Sequence, residues 1–204
     1  MKADPGLIPA PRRGLYDRGK SRHERQAAQQ ERVITAIVTL AAAGHHLTVG
    51  SVVEHAGIGR NTFYEYFDDV EHALAAVVAR ARSELNQRID EALQPARTPL
   101  ERVRALARAW SESLSASREP MLIALRAPPG PDNAAGLSPL ARCVVTVLES
   151  DPTSRSALPG IGDQLRVVAV AAAFDCVSRA HLAGEPASED LPRTLAELAL
   201  RLLR

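Results

Sequence analysis

Four of this chain's seven aromatic side chains stand within five consecutive positions: Phe63, Tyr64, Tyr66 and Phe67. Aromatics make up only 3% of the 204 residues, so composition does not explain the crowding. A short segment carrying so many rings must bury some of them while the tyrosines keep their hydroxyls near polar partners. Phe63 and Phe67 are four apart and share a helix face, which predicts a helix over 60–67 with those two rings in a core. Arg60 and Tyr64, like Thr62 and Tyr66, are spaced the same way off that face, so both phenols are expected outward.

The flanking residues fix how this helix is entered. In Leu47-Thr48-Val49-Gly50-Ser51-Val52, Thr48 suits an N-cap, with Leu47 and Val52 as the two halves of a hydrophobic staple. A helix from about Val49 to His55 follows. Gly57 can take the positive φ of a sharp corner. Gly59 is placed to cap the aromatic helix, more weakly than Ser or Thr would. Upstream, Val33, Ile34, Ile37, Val38 and Ala41 form one apolar stripe on a helix over 25–43, with Gly44 as its stop. Together these make a helix-turn-helix unit, whose second motif helix enters the DNA major groove.

Beyond it the apolar residues keep helical spacing. Leu74, Val78, Ala81, Leu85, Ile89 and Leu93 predict a long helix that ends before Pro95. Asp68-Asp69 suits its N-terminus. Thr98 caps a helix carrying Val103, Leu106 and Trp110, and a short apolar piece spans 121–125. A Pro-rich loop over 128–139, a helix over 140–148 and a loop over 151–162 precede two closing helices, 163–183 and 188–203. The fold class is therefore all-α. Residues 1–24 hold Pro5, Pro9, Pro11, Gly6, Gly14 and Gly19 without periodicity and read as a flexible basic arm. The expected organisation is an arm over 1–24, a helix-turn-helix domain over 25–70 and a helical ligand-binding and dimerisation domain over 71–204.

A formal net charge of +1 means that any basic surface must be local. Arg outnumbers Lys by 23 to 2, which fits codon bias as well as selection for phosphate contacts. Cys143 and Cys176 sit apart in apolar stretches, as free thiols do in a reducing cytosol. The arm lacks the apolar core of a secretory signal, and the run Val167–Val177 is interrupted by Asp175 and too short to span a bilayer. A cytoplasmic protein without a membrane partner is expected. The sequence shows no Gly-rich phosphate loop, nucleophile elbow or metal-ligand spacing. The adjacent pair His45-His46 does not share a helix face. Neither catalysis nor a cofactor is expected.

The stretch Thr48-Val49-Gly50-Ser51-Val52-Val53-Glu54-His55-Ala56-Gly57-Ile58-Gly59-Arg60-Asn61-Thr62-Phe63-Tyr64-Glu65-Tyr66-Phe67, continued by Glu71 and Leu74, resembles the signature of the TetR family of bacterial transcriptional regulators. The family pattern runs Thr…Ala-Gly-Val…Thr-Leu-Tyr-x-His/Tyr-Phe, and the match covers roughly residues 32–78. The resemblance implies a homodimer on a palindromic double-stranded operator, usually a repressor released by a small-molecule effector; a ligand-independent regulator or an activator with the same fold is the alternative. By position it places Arg60, Asn61 and Thr62 nearest the base edges and Tyr64, Tyr66 and Thr48 on phosphates. Two residues depart from the pattern. Val70 stands where the family usually has a phosphate-binding Lys, and Gly59 replaces a Ser cap. The basic arm is expected to compensate for the lost lysine.

Arg60 can bond guanine O6 and N7 with both arms of its guanidinium, or touch phosphate as an exposed helix-end Arg; both roles stay open. Asn61 can read adenine or simply suit the first turn. In the last helix Leu191, Leu195, Leu198 and Leu202 form a packing seam, as do Val167, Val170, Phe174 and Val177 in the one before. The resemblance assigns both seams to a dimer interface, and packing within one subunit is the alternative. Trp110 and Phe174 are the only aromatics after Phe67. With Cys143 they are candidates to line a mainly aliphatic effector pocket, with ordinary core packing as the alternative.

Overall fold

A computed structural model describes residues 21–129, 136–150, 161–183 and 190–203. The described residues form nine helices and no strand, in agreement with the all-α reading. Cα packing divides the chain into two compact units, Met1–Val77 and Val78–Arg204. Most of the expected basic arm, residues 1–20, lies outside the described residues, as do 130–135 and 151–160 of the expected loops and 184–189, which include the first two residues of the expected last helix.

The first unit begins with α1 (Arg22–Ala42), one turn earlier than the apolar stripe predicts. The reason is a capping box: Ser21 Oγ accepts from the Glu24 N–H at 3.2 Å, and the Ser21 N–H donates to Glu24 Oε2 at 2.6 Å. At the far end Gly44 takes φ 73°, and the His45 N–H reaches back to the Leu40 carbonyl at 2.9 Å. The buried face is Val33, Ala36, Ile37 and Leu40, whereas Ile34, Val38 and Ala41 are half-buried. The observed stripe is thus rotated slightly from the expected one, because small Ala36 fills the inner position.

α2 (Val49–Ala56) is capped by Thr48, as expected, and Ser51 completes the box. Thr48 Oγ1 accepts from the Ser51 N–H at 3.1 Å, and the Thr48 N–H donates to Ser51 Oγ at 3.0 Å. Gly57 adopts φ 65°, and the Ile58 N–H bonds the Val53 carbonyl at 3.1 Å, which turns the chain sharply into α3 (Arg60–Tyr64). Gly59 caps α3 without a side-chain bond. The helix is shorter than the predicted 60–67, and its end tightens: Tyr66 and Phe67 both donate to the Phe63 carbonyl at 3.0 Å. Asp69 Oδ1 then accepts from the His72 N–H at 2.6 Å at the start of α4 (Val70–Leu93). Ala73 and Val77 are the buried residues of its first two turns, while the expected Leu74 is half-buried.

The second unit takes the rest of α4, where Ala81, Leu85 and Ile89 are buried and Val78 and Leu93 half-buried. α5 (Pro99–Ala116) starts at a third capping box, Thr98 with Glu101. The N–H groups of Arg97 and Thr98 donate to Glu101 Oε2 and hold its carboxyl below the usual carboxylate range. α6 (Arg118–Arg126), α7 (Ala141–Ser150), α8 (Ile161–Leu182) and α9 (Leu191–Leu202) complete the unit. Asp190 caps α9 through the Arg193 N–H at 3.2 Å. α5 packs on α9, and α8 packs on α6, α7 and α9.

Trp110 is the largest fully buried side chain. Its Nε1 donates to Ser178 Oγ at 2.7 Å, that hydroxyl donates to the Phe174 carbonyl at 2.5 Å, and the Trp110 and Phe174 rings meet edge-on at 5.4 Å. The core is otherwise aliphatic, with Leu106, Leu114, Leu125, Leu140 and Leu195 among its buried members.

Five of the eight residues expected in the dimer seams are covered by their own subunit. Val167, Val170, Phe174, Leu191 and Leu195 are between 0% and 6% exposed, so their side chains lie in the subunit's own core. Val177, Leu198 and Leu202 are half-buried. A 3-4 leucine spacing marks a helix that packs, without saying on whose helix, and here the subunit's own core takes most of it. The weakly polar residues that α8 leaves exposed are Leu165, at 68%, Ala172 and Cys176, beside the exposed Gln164, Arg166 and Arg179.

Candidate nucleic-acid interface

The two phenylalanines seat residues 60–67 in the first unit. Phe63 is 0% and Phe67 2% exposed, with ring centres 5.8 Å apart, so the inward half of the aromatic cluster lies in the core of the first unit. Tyr64 stands edge-on against Phe63 at 5.6 Å and remains 55% exposed, its hydroxyl end outward. Arg60 and Asn61 are exposed on the first turn of α3, and Thr62 is half-buried behind them.

Tyr66 differs from its expected outward role. It is half-buried, and its hydroxyl donates to Gln29 Oε1 on α1 at 2.8 Å. A phenol has one proton, and here that proton holds the turn after α3 to α1. Gln29 is a residue that sequence reading missed, and no local signal announces a partner 37 positions away.

Thr48 and Arg60 are brought together around Gly50. A Cβ built on Gly50 would lie 3.6 Å from an Arg60 guanidinium nitrogen and 3.6 Å from Thr48 Oγ1. The cap of α2, its glycine and the first residue of α3 therefore border one polar patch. Its contents suit an anion: a guanidinium, a hydroxyl and the N-terminal end of a helix. On the other side of Phe67, His72 stacks edge-on at 5.6 Å, and its Nδ1 accepts from the Asp68 N–H at 3.3 Å. Exposed donors on a short helix beside a capped helix end can bond phosphate and base edges alike.

The three candidate effector residues are interior. Trp110 and Phe174 are fully buried against each other. Cys143 is buried, and desolvation pushes its thiol up to about 11 despite the nearby Arg82 charge. Among the described residues no group of three or more His, Cys, Asp or Glu could hold a metal ion, and no helix is long and apolar enough to cross a membrane.

A helix-turn-helix unit followed by a separate all-helical unit is the architecture of the TetR-family regulators, and solved structures of that family superpose on this chain. The fatty acid degradation regulator FadR from Bacillus halodurans matches with a TM-score of 0.63 at 16% identity, over 85% of this chain and 97% of that one. Thermus thermophilus FadR, a TetR-family repressor in complex with lauroyl-CoA, gives 0.59 at 20% identity over 85% and 92%. The SmeT–triclosan complex gives 0.63 at 20% identity over 85% and 90%. The chain therefore has the TetR-family fold. No family model matches the sequence, and no curated protein matches it.

Proposed function

We propose that this chain is a sequence-specific DNA-binding transcriptional regulator that acts as a homodimer on a palindromic operator. The observation that carries the reading is the divided aromatic cluster: Phe63 and Phe67 are interior while Tyr64, Arg60 and Asn61 stand outward on the second helix of a helix-turn-helix. Tyr64 and Thr48 act on phosphates, Arg60 and Asn61 face bases, and Thr62 supports them from its half-buried place. Tyr66 acts through Gln29, by fixing the pose of α3. Such a regulator works where the chromosome is, in the cytoplasm.

The experiment compares cognate and random duplexes, after selection of an operator from a random pool. Tyr64→Phe is expected to weaken binding to all duplexes alike, by roughly fivefold, the worth of one hydrogen bond of about 1 kcal/mol. Arg60→Ala is expected to cost cognate DNA about 1–3 kcal/mol and random DNA much less. Equal losses for both duplexes in Arg60→Ala would assign that residue to phosphate. No preference for any duplex in the parent protein would remove the proposal.

The second unit is read as the effector and dimerisation domain. Structural neighbours in complex with lauroyl-CoA and with triclosan support an effector with an apolar part, which we read as a small apolar molecule that releases a repressor from its operator. For the dimer, the face left outside on α8 replaces the seams read from sequence. Leu165 and Ala172 are apolar yet exposed, and a largely apolar helix is stable with both sides covered. Leu165→Arg is expected to raise the dimer dissociation constant by about tenfold or more, which sedimentation equilibrium reads directly. A parent protein that is monomeric at micromolar concentration, or a variant that dimerises unchanged, would exclude this face.

A further inference from the structure

A groove of about 1050 Å³ runs over the surface of the second unit, between the end of α4, the outer face of α5 and the first turns of α9. Four alanines line it, Ala92, Ala96, Ala105 and Ala196, with Pro95, Pro192 and Leu200 as its other apolar residues. Alanines leave a flat surface rather than a deep hole, and a flat surface fits a planar body.

The charged residues on its walls divide into those already committed and those that are not. Glu101 accepts the N–H groups at the start of α5, and Asp190 caps α9. Glu197 pairs with Arg193 at 2.9 Å. Arg97 has no ion pair among the described residues, but its charge is felt by Glu101. That leaves Arg104 and Arg108 against Glu112. Neither arginine has an ion pair or side-chain hydrogen bond among the described residues, and they project one turn apart on the same face of α5. The groove therefore offers two guanidinium forks above an alanine floor. A fork bonds a carboxylate, sulfonate or phosphate through two parallel N–H groups, and its planar face can also stack on an aromatic ring.

We propose that this groove binds a planar aromatic anion, with the ring on the alanine floor and the anionic group held by Arg104 and Arg108. The site is distinct from the aliphatic core around Trp110, and it stands whether or not the chain binds DNA.

The probe is 8-anilino-1-naphthalenesulfonate, titrated by fluorescence into the full chain, beside its uncharged relative N-phenyl-1-naphthylamine. The parent should bind the sulfonate with saturable one-site behaviour and the neutral dye far more weakly. R104Q/R108Q should weaken the sulfonate by about tenfold or more, the scale of one charge-assisted hydrogen bond, and leave the neutral dye unchanged. R104K/R108K keeps the charge without the fork and should fall between parent and glutamine variant. Circular dichroism checks that both variants stay folded, as exposed substitutions should. Equal sulfonate affinity in parent and R104Q/R108Q overturns the proposal, as does a neutral dye that binds as tightly as the anion. A change in oligomeric state with unchanged dye affinity would mark the groove as a contact between copies, and also overturns it.

Discussion

Phe63→Ala is expected to unfold the first unit near physiological temperature while the second stays helical. Phe63 is wholly buried, lies against the Phe67 ring, and its carbonyl receives the two N–H groups that close α3. Removing a buried Phe ring costs about 3–5 kcal/mol, part lost transfer energy and part unfilled cavity. A whole small domain is stable by only about 5–15 kcal/mol, toward the low end at this size. Each kcal/mol moves the midpoint of a domain this small by about 4–8 °C, so a fall of ten degrees or more is expected in a transition that also abolishes DNA binding. Denaturant unfolding followed by circular dichroism measures it. A loss below about 1 kcal/mol would mean the cluster is not the core of this unit.

Trp110→Ala should have a comparable effect in the second unit. Trp110 fills the space between α5 and α8, meets Phe174 edge-on and bonds Ser178. Truncation is expected to cost about 3–5 kcal/mol for the ring, with roughly 1 kcal/mol more for the hydrogen bond. Trp110→Phe separates the two contributions. It keeps most of the apolar volume, and Ser178 retains the Phe174 carbonyl as acceptor, so no buried donor is orphaned. The expected cost falls to about 1–2 kcal/mol. If Phe and Ala variants lose the same stability, then the indole N–H, and not the ring, is what the site requires.

The parts legible in the sequence are those decided by local chemistry. Thr48 and Thr98 cap helices because a hydroxyl accepts a nearby N–H, and Gly57 turns the chain because it lacks a Cβ. Phe63 and Phe67 are inside because two rings of that size must be. Readings that depended on a distant partner went further astray. Ala36 on α1 and Ala73 at the start of α4 are buried where the apolar pattern points elsewhere, since alanine carries little hydrophobic signal yet fits where helices come close. Leu191 and Leu195 read as a seam to another chain and turned out to line their own core. Ser51 could have been found, three positions after Thr48, had a serine been allowed the part usually given to Glu or Gln. Nothing near Tyr66 foretells Gln29.

That last bond bears on portability. A five-residue helix has too few internal hydrogen bonds to offset its own nucleation, so α3 holds its shape by leaning on neighbours. Anyone grafting residues 60–67 onto a foreign scaffold, to transplant whatever this surface reads, would be moving an inscription without its plinth: the amide of Gln29 has to travel with it.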